Sequence, residues 1–293
     1  MGQIITTLKS SIDQSVNFFY DSKTVGKMEA RFVRREEDYF IIYVSSQSGC
    51  DQACRMCHLT ATGQNKLDDS TLEDFILQAE KVYSHYDQQT VKAKLVHYNF
   101  MARGEPLNNP VVLNNSDELL TAYSKLASDR NLESKFLIST ILPERLGNKS
   151  LVDIFKRVHP EIYYSLYSTN DKFRKKWLSR ALPYQRGLEL LKEWQVVTGK
   201  IPKIHFAFIK DENDSEQDMV NIADAINSFD LKVNLNIVRY NPYSEKYGSE
   251  SDEDIIYRNT EILKSLINPE QVRVVPKVGF DVKASCGMFL NKD

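Results

Sequence analysis

Three of the four cysteines in this chain, Cys50, Cys54 and Cys57, stand as C-x3-C-x2-C, and the fourth, Cys286, lies near the end. A trio this close in sequence is a ligand set rather than a disulfide framework. Three chemistries compete for it. Zinc asks for four ligands with a second pair further on, so His58 would have to complete a cramped site. Cys54-x-x-Cys57-His58 matches a c-type haem attachment motif, which leaves Cys50 unexplained and needs an exported chain. A 4Fe-4S cluster on three thiolates leaves its fourth iron open to chelate a small molecule, so an incomplete ligand set is what that chemistry requires.

The elements around the trio can be read from periodicity. Short β-rich runs are expected over Tyr39 to Ser45, Lys94 to Met101, Lys135 to Ile141, Glu161 to Tyr167, Lys203 to Ile209, Lys232 to Arg239 and Gln271 to Val275. Amphipathic helices are expected over Thr71 to Tyr86, Ser116 to Ala127, Pro183 to Val196, Ser215 to Phe229 and Asp252 to Leu266. Ser70 and Glu73 fit the capping box of the first helix. Strands joined by helical crossovers make a parallel sheet, and the absence of a Gly-x-Gly-x-x-Gly turn points to an open or closed barrel rather than a dinucleotide fold. Residues 1–27 read as a short polar and helical extension ahead of a single barrel domain, 28–293. The cysteine loop then follows the first barrel strand, at the strand ends where parallel α/β barrels place their active sites.

The chain has 293 residues, 38 Lys and Arg against 40 Asp and Glu, and 42% hydrophobic residues with 14 Phe, 15 Tyr and 2 Trp. This composition fills a core and excludes a disordered chain. No run approaches the roughly 18 apolar residues of a membrane span, and no secretory signal opens the sequence, so a soluble cytoplasmic protein with no membrane partner is expected. A net charge of -2 gives no global field for nucleic acid, so RNA contact would need a local patch. Lys172, Arg174, Lys175, Lys176, Arg180 and Arg186, with Arg31, Arg34 and Arg35, are candidates for gripping phosphates, and as bare residues they read as a solvated face.

The cysteine spacing after a first barrel strand resembles the radical S-adenosylmethionine superfamily. The match widens in order along the chain. It takes in Val44-Ser45-Ser46-Gln47-x-Gly49-Cys50, Gly104-Glu105-Pro106-Leu107-Asn108, Ser139-Thr140, Ser165-Leu166-Tyr167, Asn241-Pro242 and Gly279-x-Asp281-x-x-Ala284-Ser285-Cys286-Gly287. Together these resemble the RlmN/Cfr family of radical RNA methyltransferases from about Lys27 to Phe289. The resemblance implies an α/β fold, a partial TIM-like (β/α)6 barrel, with a 4Fe-4S cluster on Cys50, Cys54 and Cys57. It implies S-adenosylmethionine held by Gly104, Glu105, Ser139, Ser165, Leu166, Tyr167 and Asn241, an rRNA or tRNA substrate methylated at an adenine carbon, and a flavodoxin- or ferredoxin-type electron donor. A radical enzyme with a different hydrogen abstraction and a non-catalytic RNA-binding relative are the alternatives.

By the same resemblance Cys286 is the cysteine that carries the methyl group, whereas alone it reads as inert core. An adenine ring carbon is too poor a nucleophile to take a methyl cation directly. The family therefore methylates this cysteine first, turns that methyl into a carbon radical and adds it to the ring. The chain departs from the family at four places. Met56 replaces an aromatic residue and Tyr167 a histidine. Tyr43 stands where the second catalytic cysteine would be, so no internal disulfide can release the tethered RNA. Only 49 residues precede Cys50, too few for the family's separate helical RNA-binding domain. Glu29 resembles the family's acidic residue ahead of the first strand and is a candidate proton acceptor; as a bare residue it reads as a solvated charge.

Overall fold

The computed structural model describes residues 4–285 and 287–290. Its ten strands form one sheet in chain order. They are β1 (Ile4–Lys9), β2 (Val16–Asp21), β3 (Lys27–Glu36), β4 (Tyr39–Tyr43), β5 (Leu95–Phe100), β6 (Glu133–Thr140), β7 (Glu161–Tyr164), β8 (Lys203–Phe206), β9 (Asn234–Val238) and β10 (Val272–Val275). The first four pair antiparallel as a meander. From β4 to β10 every pairing is parallel, and each step needs a crossover.

Helices supply the crossovers. They are α1 (His58–Ala61) and α2 (Leu72–Tyr86) before β5, α3 (Pro110–Ser128) before β6, α4 (Leu151–Ile154) before β7, α5 (Asp171–Trp177) and α6 (Tyr184–Thr198) before β8, α7 (Glu216–Ser228) before β9, and α8 (Glu253–Ile267) before β10. Six crossovers with β1 and β10 at opposite edges make the expected partial (β/α)6 barrel, open and extended by a seventh parallel strand. No described helix is long and apolar enough to cross a membrane.

All seven strands read from the sequence form. The segment before them differs, because residues expected as a polar helical extension build β1 and β2. Val16 through Tyr20 are all buried there, so β2 is covered on both faces and carries no half-buried alternation to mark it as a strand. The α2 cap also shifts by one residue. Thr71 caps it reciprocally with Asp74, while Ser70 donates its hydroxyl to the Ser45 carbonyl at 2.8 Å.

Period-two alternation divides the strands between two environments. Val96, Tyr98 and Phe100 of β5, Ile162 and Tyr164 of β7, and Ile204 and Phe206 of β8 are buried. With Leu188, Leu191 and Trp194 of α6 and Met219, Ile222 and Ile226 of α7 they belong to one hydrophobic core. The intervening positions His97, Asn99, Lys135, Ser139, Tyr163, Lys203, His205 and Asn236 line a cavity of about 470 Å3. The lumen is therefore open and carries polar and charged side chains among apolar ones, where a closed barrel would be packed with branched aliphatic side chains.

Candidate active site

The loop after β4 is held by main-chain bonds before any ligand is considered. Val44 N–H donates to Asn99 O at 3.0 Å, Ser46 N–H to Arg103 O at 2.8 Å, and Cys50 N–H to Gln64 O at 3.0 Å. Cys57 caps α1 in an extended conformation, and its N–H donates to Cys54 O at 3.1 Å. Cys50, Cys54 and Cys57 are free and half-buried, and all three line the lumen cavity. Met56 is buried in the core beside them.

No three described His, Cys, Asp or Glu side chains converge on a single-ion site. His58 is turned from the trio, its Nε2 donating to Asn241 O at 3.0 Å, which removes the fourth ligand the zinc reading required. A four-iron cluster spreads its thiolates over separate irons, so this donor set of three sulfurs around one cavity suits it. Burial pushes the Cys57 thiol up, with the Arg103 and Arg31 guanidiniums pulling against it.

Gly104 and Glu105 follow β5 on the same cavity. Gly104 has φ +91°, and a Cβ there would meet Ser46 Oγ at 2.6 Å and Gln47 N at 2.8 Å. Only glycine lets the two loops approach this closely. Glu105 is buried; its carboxylate accepts Thr140 Oγ1 at 2.7 Å, Leu107 N–H at 3.1 Å and Ile141 N–H at 3.2 Å. Burial outweighs these bonds and pushes the carboxyl up to about 7, so a cation arriving beside it would restore its charge.

Ser139, Ser165, Tyr167, Asn241 and Tyr43 also line the cavity. Tyr167 holds φ +58°, a left-handed conformation that is unusual for a bulky residue, and its carbonyl accepts Asn213 Nδ2 at 2.9 Å. Leu166 is placed differently, with its side chain in the core and its carbonyl taken by Arg174 Nη1 at 2.8 Å.

Cys286 lies outside the described residues, but its flanks are described. Ala284 and Ser285 line the cavity, and Gly287 O accepts His58 N–H at 3.1 Å. Arg31 donates to Ala284 O at 3.1 Å and Met288 O at 3.0 Å. Arg103 donates to Gln64 Oε1 at 2.7 Å and Leu290 O at 3.4 Å. Both guanidiniums lie over the Phe289 ring. The carboxylate that holds them is Glu29, paired with Arg31 and, at 3.2 Å, with Arg103.

Two expectations from the sequence are corrected here. Glu29 is fully buried rather than a solvated charge, because both of its oxygens are bound by guanidiniums. Arg31 and Arg174 do not form a phosphate-gripping face, since each is buried with its guanidinium bound to main-chain carbonyls. Arg103 was missed by the sequence reading, although it immediately precedes Gly104-Glu105 and its place in that loop was the available signal.

No family model matches the chain. It is similar to a probable RNA methyltransferase of Rhodopirellula baltica, 27% identical over 98% of this chain and 73% of the relative. A dual-specificity RNA methyltransferase RlmN of Aliarcobacter butzleri is 26% identical over 90% of this chain and 70% of its own length. The crystal structure of a radical SAM methyltransferase from Sphaerobacter thermophilus superposes with a TM-score of 0.78 at 17% identity, covering 98% of this chain and 80% of that one; this likeness shows the fold. With its sequence relatives spread over most of its length, its partial barrel and its C-x3-C-x2-C loop, the chain is a distant homologue of the radical S-adenosylmethionine, RlmN-like RNA methyltransferases.

Proposed function

We propose that the protein methylates an adenine ring carbon of rRNA or tRNA, with Cys286 carrying the transferred carbon, and that residues 28–293 act as one catalytic barrel behind the short extension 1–27. The observation that carries this reading is the convergence of Cys50, Cys54 and Cys57 with Gly104, Glu105, Ala284 and Ser285 on one cavity. Cys50, Cys54 and Cys57 would hold a 4Fe-4S cluster, and Gly104, Glu105, Ser139, Ser165, Tyr167 and Asn241 would surround S-adenosylmethionine, while Leu166 packs in the core behind them. Bound there, the pair would supply an electrophilic methyl group and, with an electron from a flavodoxin- or ferredoxin-type donor, an organic radical.

The remaining work falls to the chain's own residues. Glu105, once ionised, pairs with the methionine ammonium, and Gly104 lets the main chain close on it. Cys286, its thiol proton lost to solvent, would take the methyl group on sulfur as the sulfonium S–CH3 bond breaks and S-adenosylhomocysteine leaves. Arg31 and Arg103 hold the segment on either side of that cysteine, and Glu29 acts through them as a positioning residue. Tyr43 offers a phenol that can move a proton and cannot form a disulfide.

Mass spectrometry tests this reading. Protein expressed with the cofactor available should carry one added methylene on the peptide containing Cys286, absent in Cys286→Ala, and cells lacking the protein should lose one methyladenosine from rRNA or tRNA. An unmodified Cys286 in protein that cleaves the cofactor, with an unchanged RNA methylation profile, would sink it.

A further inference from the structure

The cavity has a second end whose chemistry methyl transfer does not use. Among the described residues lining it, seven are Lys or Arg and one, Glu105, is acidic, in a chain whose net charge is -2. Four of the cations, Arg35, Lys135, Lys203 and Arg273, sit at the foot of the lumen. Lys135, Lys203 and Arg273 lie within the first three residues of β6, β8 and β10, and Arg35 is next to last in the antiparallel β3. This is the end opposite the cysteine loop.

The foot carries uncompensated positive charge. Glu161 answers Lys135 at 3.5 Å and Lys203 at 3.4 Å. Arg35 and Arg273 form no ion pair among the described residues, and the Nε of Arg35 is buried without a hydrogen-bond partner. All four belong to one neighbourhood. His97 feels the charges of Lys135, Lys203, Glu161 and Arg35, and Tyr163 those of Glu161, Arg273 and Arg35. Burial, reinforced by the lysines, pushes both His97 and His205 down to about 4. Asn236 Nδ2 donates to His205 Nδ1 at 2.7 Å, which leaves the ring proton on Nε2 as a neutral donor. Arg35 and Lys203 are half-buried or deeper while Arg273 is exposed at the rim and Lys135 half-exposed, so an anion joining them would offset the desolvation of the inner pair and stay reachable from solvent.

We infer that the foot of the barrel lumen is a phosphate-binding site, built by Arg35, Lys135, Lys203 and Arg273, for a nucleotide lying along the barrel axis. The four-residue rise from Lys135 to Ser139 is about 13 Å, comparable to the reach of a nucleotide from its phosphates to its base. An RNA chain approaching from the cysteine-loop end would insert an internal nucleotide base first and leave its phosphates at that end. A phosphate at the foot therefore belongs to a free nucleotide or to a phosphorylated chain end. The inference goes beyond the methyl transfer and does not depend on it, because it is read by binding alone.

Isothermal titration of the full-length protein with inorganic pyrophosphate and with ATP tests it. Both should bind and compete with each other, and raising salt from 50 to 200 mM should weaken both. The double variant Arg35→Gln/Arg273→Gln should weaken each at least tenfold with its melting temperature little changed. Lys135→Gln, at a half-exposed side chain, serves the same purpose if the double variant fails to fold. Tighter binding of a 5′-phosphorylated oligoadenylate than of ATP would identify a chain end as the source, and the reverse a free nucleotide; either result supports the site. No pyrophosphate binding at millimolar concentration, or binding that the folded variants leave unchanged, would overturn it.

Discussion

Glu29 and Arg103 meet at 3.2 Å with neither side chain exposed to solvent, and with Arg31 they link the antiparallel meander to the loop that ends in Gly104-Glu105 and to the segment flanking Cys286. Removing one partner of a buried ion pair strands the other charge, at about 3–5 kcal/mol. Glu29→Gln, which strands two guanidiniums, should fall in that range in urea unfolding. It should also expose the segment 284–290 to proteolysis before the barrel unfolds. A loss under 1 kcal/mol with unchanged cleavage would remove Glu29 from the positioning role.

Glu105 predicts a pH dependence of defined sign. Its folded value, about 7, lies above the ordinary 4.5, so between these values the unfolded chain binds fewer protons than the folded one. Stability should therefore fall as pH rises through that window, by an amount on the order of 3 kcal/mol. In Glu105→Gln that fall should disappear from denaturant midpoints recorded across the window. S-adenosylmethionine binding to the wild type should run the other way, strengthening from pH 6 to 8 as the carboxylate ionises, with proton release detectable in buffers of different ionisation enthalpy.

Anaerobically purified protein should hold about four irons per chain. Single changes of Cys50, Cys54 or Cys57 to Ala should each abolish this, while circular dichroism keeps the barrel signal. Full iron content in all three variants would defeat the cluster assignment.

Tyr43 lines the same cavity as Ala284 and Ser285, which precede Cys286. Without a second thiol the covalent RNA adduct has no internal route to a disulfide, so purified protein should turn over once and leave an adduct on Cys286 that survives denaturation. Tyr43→Cys should raise turnover if the two Cα atoms come within about 4.4–6.8 Å. Repeated turnover by the natural sequence without added thiol, and no adduct on denaturing gels, would point to a different resolving group.

The seven parallel strands and the cysteine loop on the cavity were legible in the sequence because both depend on local patterns, period-two alternation between crossover helices and a fixed cysteine spacing. Gly104 and Glu105 could be read for a related reason, since a glycine beside a carboxylate after a strand is a local signal. The edge of the meander was not legible: no helical crossover flags β1 and β2, and their strand form shows only in the antiparallel pairing of β1 with β2 and of β2 with β3. Glu29 misled for the same physical reason. A charged residue is buried only when partners satisfy it, and its partners are two residues away in Arg31 and 74 away in Arg103. The charge at the foot of the lumen likewise comes from separate strands, each carrying an unremarkable Lys or Arg. Local residue order can specify a strand or a ligand loop, but which charges are forced to share one cavity is decided only when the sheet curls and brings its inward faces together.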